Sequence, residues 1–131
     1  MKTQVTSETA PPTKGFPLSH AISTDTLVFT SGQIYLTSDM KLVEGSIEDK
    51  THQVMKNLQA ILEAAGVSFD HVVKSTIYVT NMEIYGKVNE VYASYLNEPY
   101  PAREVVCVAA LPLGAEIEIS MIATGSLVSQ K

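Results

Sequence analysis

The chain has 131 residues, of which nine are basic and fourteen acidic for a net charge of -5, with 45% hydrophobic and 18% charged residues. That length is read as one domain over residues 1–131 with a single core. The acidic balance and the lack of any Lys/Arg cluster argue against a nucleic-acid partner, and no apolar run approaches the roughly 20 residues of a membrane span.

Met1 to Lys14 contains no apolar h-region, which argues against secretion, and is too short and too poor in arginine to read as a transit peptide. Thr26 to Thr30 reads as a strand closed by Ser31-Gly32. Ile47, Val54, Met55, Leu58, Ile61, Leu62 and Ala65 then recur at helical spacing between a Ser46 cap and a Gly66 stop. Val72 to Thr80 is rich in β-branched residues and predicts a strand. Thr80-Asn81-Met82-Glu83 has the form of a capping box and opens a second helix through about Leu96, ended by the two prolines of Asn97 to Pro101.

Two apolar strands follow, separated by Leu111-Pro112-Leu113-Gly114. Period-two alternation puts Arg103, Val105, Cys107 and Ala109 on one face of the first, and Glu116, Glu118, Ser120 and Ile122 on one face of the second. If these strands form a hairpin, Ala110 pairs with Ala115 and Cys107 lies opposite Glu118, which puts Arg103 and Glu118 on a common face. A one-residue slip would separate them. The order strands, helix, strand, helix, two strands suits an α+β layer with both helices on one face of a mixed sheet. The other sheet face then needs cover, and self-association is the economical means.

Arg103 carries a planar fork of donors that matches a carboxylate, and reads equally as an anchor for a small organic acid or as a structural ion pair. Glu118 is placed to orient a water or exchange a proton with a substrate nitrogen, or else to form a salt bridge. Glu116 is expected to be solvated. Cys107, the only cysteine, permits no internal disulfide, suits a reducing compartment and reads as a buried, inert small hydrophobe. His20, His52 and His71 are scattered, and there is neither a glycine-rich phosphate cradle nor a nucleophile elbow. The expected chemistry uses no metal and no cofactor.

Pro101-Ala102-Arg103, the strand after it, Leu111-Pro112 and Glu118 within an apolar strand together resemble the signature of the Rid (YjgF, reactive intermediate deaminase) family. Pro17-Leu18-Ser19-His20-Ala21, Ser31-Gly32-Gln33-Ile34, Asn57-Leu58, Val73-Lys74-Ser75-Thr76 and Val88-Asn89-Glu90-Val91-Tyr92 extend the resemblance over roughly residues 8 to 125, most closely to fungal members. The resemblance implies a chorismate-mutase-like homotrimer with sites in the clefts between subunits. It implies hydrolytic deamination of 2-aminoacrylate and 2-aminocrotonate tautomers to 2-oxo acids and ammonia, with a non-catalytic 2-oxo-acid binder or protein-interaction factor as the alternative. Arg103 and the Val105 N–H would hold the carboxylate, and Glu118 would position the water. Ser31 and Gly32 would bind the polar end, and Tyr85 and Asn89 would line the cleft from the adjoining subunit. His20 is expected to be structural. Leu18 stands where many deaminase members carry a tyrosine, so a phenol is missing, and Tyr35 replaces a common proline. The family spans the cytosol and the mitochondrial matrix.

Overall fold

The computed structural model describes residues 1–125. In chain order the elements are β1 (Thr3–Val5), β2 (Ala21–Ser23), β3 (Leu27–Thr30), α1 (Ile47–Ala64), β4 (Val72–Val79), α2 (Tyr85–Ala93), β5 (Ala102–Cys107) and β6 (Ile117–Thr124). The strands form one sheet in the order β1-β2-β3-β6-β4-β5, antiparallel throughout except for the parallel pair β4–β5. This is the expected α+β arrangement, a mixed sheet with two helices. No helix among the described residues is long and apolar enough to cross a membrane.

Helix α1 begins and ends where its punctuation predicts. The Asp49 N–H donates to Ser46 Oγ at 3.0 Å, and the Ser46 N–H donates back to Asp49 Oδ2 at 3.3 Å, so two of the N-terminal amides that a helix leaves unpaired are satisfied. Gly66, at φ 82°, takes the left-handed conformation that closes the helix, and the Val67 N–H donates to the Leu62 carbonyl at 3.0 Å. Val54, Met55, Leu58, Ile61 and Leu62 are fully buried against the sheet. Truncating one of them, Leu58→Ala for example, costs about 2–5 kcal/mol.

The core-facing residues of the central strands are Ser75, Ile77 and Val79 of β4, and Ile117, Ile119, Met121 and Ala123 of β6. Their alternates, Tyr78 and Glu118 among them, point to the opposite face, where Phe29, Val73 and Val106 remain exposed. Among the described residues, nothing covers these three side chains.

The hairpin expectation is overturned. β5 and β6 do not pair with each other; β4 lies between them, parallel to β5 and antiparallel to β6. A parallel neighbour needs a crossover, and α2 supplies it between β4 and β5. Residues 108–116 then pass the end of β4, where the Val108 N–H donates to the Val79 carbonyl at 2.8 Å and the Thr80 N–H to the Glu116 carbonyl at 3.2 Å. The second helix also starts later than its sequence suggests. Asn81, not Thr80, caps a single 3₁₀ turn (Met82–Ile84) by accepting the Glu83 N–H, and α2 proper ends at Ala93 instead of Leu96.

Candidate active site

Arg103 sits on β5 opposite Ser75, and Ser75 is opposite Met121, so Arg103 projects to the side of the sheet that carries the helices. There it meets one face of α2, because Tyr85, Asn89 and Tyr92 are spaced by four and three residues. Arg103 Nη1 donates to Asn89 Oδ1 at 2.5 Å and Nη2 donates to the Tyr85 hydroxyl. The guanidinium carbon lies 5.3 Å from the Tyr92 ring centroid and 5.5 Å from that of Tyr85, within cation–π range of both.

Tyr92 is the residue that sequence reasoning missed. Its hydroxyl donates to the buried Ser75 Oγ at 2.9 Å, which fixes the ring beneath the guanidinium. Burial pushes the phenol above its ordinary value, although the Ser75 bond and the Arg103 charge act the other way. The helical spacing from Asn89 was a usable sign. What it lacked was any indication that Arg103 lies across from that face.

The arginine is caged but its outer side is open, beside a cavity of about 420 Å³ lined by Asn89, Tyr92, Ala93, Tyr100, Pro101 and Arg103 itself. Since the Val108 N–H points to β4, strand alternation turns the N–H groups of Arg103, Val105 and Cys107 to the free edge of the sheet. The Val105 N–H thus points to that free edge, two residues along the strand from Arg103. Cys107, expected to be buried, is exposed, because β5 is an edge strand.

Glu118 belongs to a second locus. It pairs with Tyr78 on β4 and faces away from the helices, into a cavity of about 520 Å³ that also meets Leu18, His20, Ser31, Gly32 and Gln33. The carboxylate is half-buried, and burial raises its pKa above the usual carboxylate value. Gln33 and Ile119 exchange both backbone hydrogen bonds, at 2.9 and 3.0 Å, which clamps the Ser31-Gly32 loop against the start of β6. The Ser31 hydroxyl is already engaged, donating to the Ser19 carbonyl at 2.6 Å, so it is left as an acceptor only.

His20 has the structural role expected of it. Nδ1 accepts the Ser7 N–H at 3.0 Å, and Nε2 lies 2.7 Å from the Pro11 carbonyl, to which it donates in that tautomer. Glu116 is not free in solvent: Lys50 Nζ donates to its Oε1 at 2.8 Å, and the Tyr35 hydroxyl accepts the Glu116 N–H at 2.9 Å. Tyr35, which stands in place of a common proline, is itself buried.

The two loci lie on opposite faces of the sheet, with β4 between their strands. The register therefore contradicts the shared face expected for Arg103 and Glu118, and one chain does not bring both to the same small acid. Tyr85 and Asn89 gather with Arg103, while the Val105 N–H lies two residues along β5 on the free edge of the sheet. Leu18, Ser31 and Gly32 gather with Glu118.

Comparison with known proteins adds the family. The family model described as endoribonuclease L-PSP matches residues 8–125. Protein HMF1 of Saccharomyces cerevisiae is 47% identical over 121 residues, covering 92% of this chain and 93% of the relative. The mouse (Mus musculus) protein named 2-iminobutanoate/2-iminopropanoate deaminase is 41% identical over 121 residues, covering 92% of this chain and 90% of the relative. The crystal structure of yeast Mmf1, a protein named as mitochondrial, superposes with a TM-score of 0.91 at 37% identity, covering 95% of this chain and 99% of that one. A match that spans both loci and both helices, with relatives at this identity over nearly their whole length, places the chain in the endoribonuclease L-PSP family, the family of the YjgF and Rid proteins.

Proposed function

We propose that the protein is a 2-iminobutanoate/2-iminopropanoate deaminase, hydrolysing 2-aminoacrylate and 2-aminocrotonate, in their imine form, to 2-oxo acids and ammonia. The observation that carries this reading is Glu118: a half-buried carboxylate in a largely apolar cavity, its pKa raised by burial, facing the space a substrate would fill. Such a group accepts a proton from water when ionised and returns it to nitrogen when protonated.

In the proposed reaction the substrate carboxylate pairs with Arg103 and the Val105 N–H. Water adds through its oxygen to the imine carbon, Glu118 takes the water proton, and nitrogen receives it. Glu118 then carries the carbinolamine hydroxyl proton to the nitrogen as the carbon–nitrogen bond breaks and the carbon–oxygen double bond forms, releasing ammonia and leaving the 2-oxo acid. No metal or cofactor enters these steps. Because Arg103 and Glu118 face opposite sides of one sheet, the site requires Arg103, Tyr85 and Asn89 of one copy to meet Glu118, Ser31, Gly32 and Leu18 of another. A homotrimer closes such a head-to-tail arrangement and covers the exposed Phe29 and Val106 face. The proposed compartment is the cytosol or the mitochondrial matrix, and the proposed ligands are small 2-imino and 2-oxo acids, with neither nucleic acid nor membrane as partner.

The decisive experiment times ammonia and oxo-acid release from enzymatically generated 2-iminopropanoate with and without the protein. A wild-type rate equal to buffer overturns the deaminase. The second reading, a non-catalytic 2-oxo-acid binder, is favoured by Leu18, which supplies no phenol to the cavity, and by the Ser31 hydroxyl, whose proton is already committed. RNA cleavage, which the family description names, has little physical support in a chain of net charge -5.

A further inference from the structure

We infer that the protein is also a tautomerase: Glu118 gives its proton to C3 of the enamine and so makes, within the site, the imine that is then hydrolysed. This rests on the proposed deamination and adds the step that precedes it. 2-Aminoacrylate and 2-aminocrotonate are enamines, with a double bond between C2 and C3. Water does not add at C2 until that bond gives way to one between C2 and nitrogen, and the exchange takes a proton at C3 from some acid.

The groups around the Glu118 cavity narrow the choice of acid. His20 has both nitrogens occupied, Nδ1 by the Ser7 N–H and Nε2 by the Pro11 carbonyl. The Ser31 hydroxyl donates to the Ser19 carbonyl. Leu18 has no proton to offer, and the Thr13 hydroxyl and Gln33 amide are too weakly acidic to protonate carbon. Of the described side chains lining the cavity, Glu118 is the one left. Burial favours its protonated form, which is the form this step uses. From the neighbouring copy the shared site receives Arg103, Asn89 and Tyr85, and Arg103 Nη2 donates to the Tyr85 hydroxyl, which keeps that phenol at the carboxylate end.

The proton balance closes on this one residue. The π pair between C2 and C3 takes the Glu118 proton to form the C3–H bond, and the nitrogen lone pair forms the bond to C2. The product is an iminium beside an ionised Glu118, which is the form that takes a proton from water as its oxygen adds to C2. On an imine that enters neutral, that proton goes on to nitrogen; on the iminium it stays on Glu118. Breakdown of the carbinolamine both gives and takes a proton at Glu118, so the residue ends protonated, ready for the next enamine. The geometry also fixes a side. An enamine conjugated with its carboxylate is flat, and with one end in the Arg103 fork it meets Glu118 on a single face. Gly32 lies against Glu118 Oε2 and holds the carboxyl in its place.

Run backward, the same step removes one particular hydrogen from C3, and the test reads it. 2-Oxobutyrate and ammonium chloride are incubated with the protein in D2O, and the C3 hydrogens are followed by NMR. Wild type is expected to exchange one of them about 10²-fold faster than buffer and to stall at a single deuterium. Glu118→Gln, with sedimentation matching wild type, is expected to fall to the buffer rate. Tyr85→Phe, whatever its rate, is expected to keep to one hydrogen. Equal exchange of both hydrogens by wild type, or exchange at the buffer rate, overturns the inference. So does one-hydrogen exchange that survives in Glu118→Gln, or selectivity lost in Tyr85→Phe, since either moves the donor off Glu118. Ammonia release from 2-iminopropanoate, measured on the same preparation, judges the deaminase separately: release without selective exchange leaves that reading standing alone, and selective exchange without release upholds the tautomerase and overturns the deaminase.

Discussion

Gly32 lies so close to Glu118 that a methyl group in place of its hydrogen would overlap the carboxylate oxygen Oε2 and stand 2.9 Å from Cδ. The glycine is therefore a condition for the position of the carboxylate. Gly32→Ala is expected to displace the Glu118 side chain, because the clash falls on the far end of a flexible group. Turnover should fall about 10²-fold, the effect of a misplacement of about 1 Å, with little change in melting temperature. Steady-state kinetics beside a thermal scan check both halves; an unaltered rate would show that Glu118 acts from another rotamer.

In the proposed reaction Arg103 would hold the carboxylate through the shape of its fork, which Asn89 and Tyr85 orient and two rings support. Arg103→Ala is expected to weaken 2-oxobutyrate binding about 10- to 100-fold, at roughly 1.5–3 kcal/mol for a bond to a charged group. Arg103→Lys should recover little of it, since an ammonium does not match two carboxylate oxygens at once. Calorimetry on the two variants separates geometry from charge, and near-wild-type affinity in the lysine variant would refute the fork.

Glu118 gives a pH signature in two observables. Burial raises its folded pKa above the unfolded one, so between the two values the folded chain holds the extra proton, and stability falls as pH rises through that window. Glu118→Gln should melt higher than wild type at neutral pH, with the gain shrinking below the unfolded carboxylate pKa. If ionised Glu118 takes the water proton, wild-type turnover falls as pH drops through the raised value, and the glutamine variant loses that limb along with its activity. A gain in melting temperature that is the same at pH 3 and pH 7 contradicts the desolvation account.

A site split between two faces calls for complementation. Arg103→Ala and Glu118→Gln chains, each inactive alone, are expected to recover about a quarter of wild-type activity when refolded together at equal amounts, because one site in four pairs an intact Arg103 with an intact neighbouring Glu118. Sedimentation should show a trimer of the 14.2 kDa chain. No recovery in mixed oligomers, or a monomer at micromolar concentration, sinks the shared site.

Leu18→Tyr is expected to raise turnover of small imines by up to about 10²-fold through a donor near the reacting nitrogen, and by less where the loop does not suit the ring. Rates at matched imine concentration measure this; if wild type and variant both match buffer, the binder reading stands.

How much of this was legible depended on how local each cause was. Helix α1 was readable end to end, because Ser46, Gly66 and the 3.6-residue apolar period all act within the helix. Faces were readable too: Arg103, Val105 and Cys107 do share one, as do Glu118, Ser120 and Ile122. Pairing was not, since nothing within Pro101–Ala123 records that a strand some 40 residues earlier will lie between its halves. The same blindness placed Cys107 in the core, because alternation gives a face and says nothing about whether a strand is an edge. Glu116 was taken for a solvated residue because its partner Lys50 is 66 positions away.

The position of β6 between β3 and β4 orders events in time. Until the last strand is available, β3 and β4 have no partner on their inner edges, and the helices have only half a sheet to pack on. A chain leaving the ribosome therefore stays unable to close its core until Ile117–Thr124 has emerged. Loss of residues 114–125, which carry β6, should abolish folding altogether, where loss of residues 1–12 removes the outermost strand and the Ser7 and Pro11 partners of His20 but leaves the middle of the sheet in place.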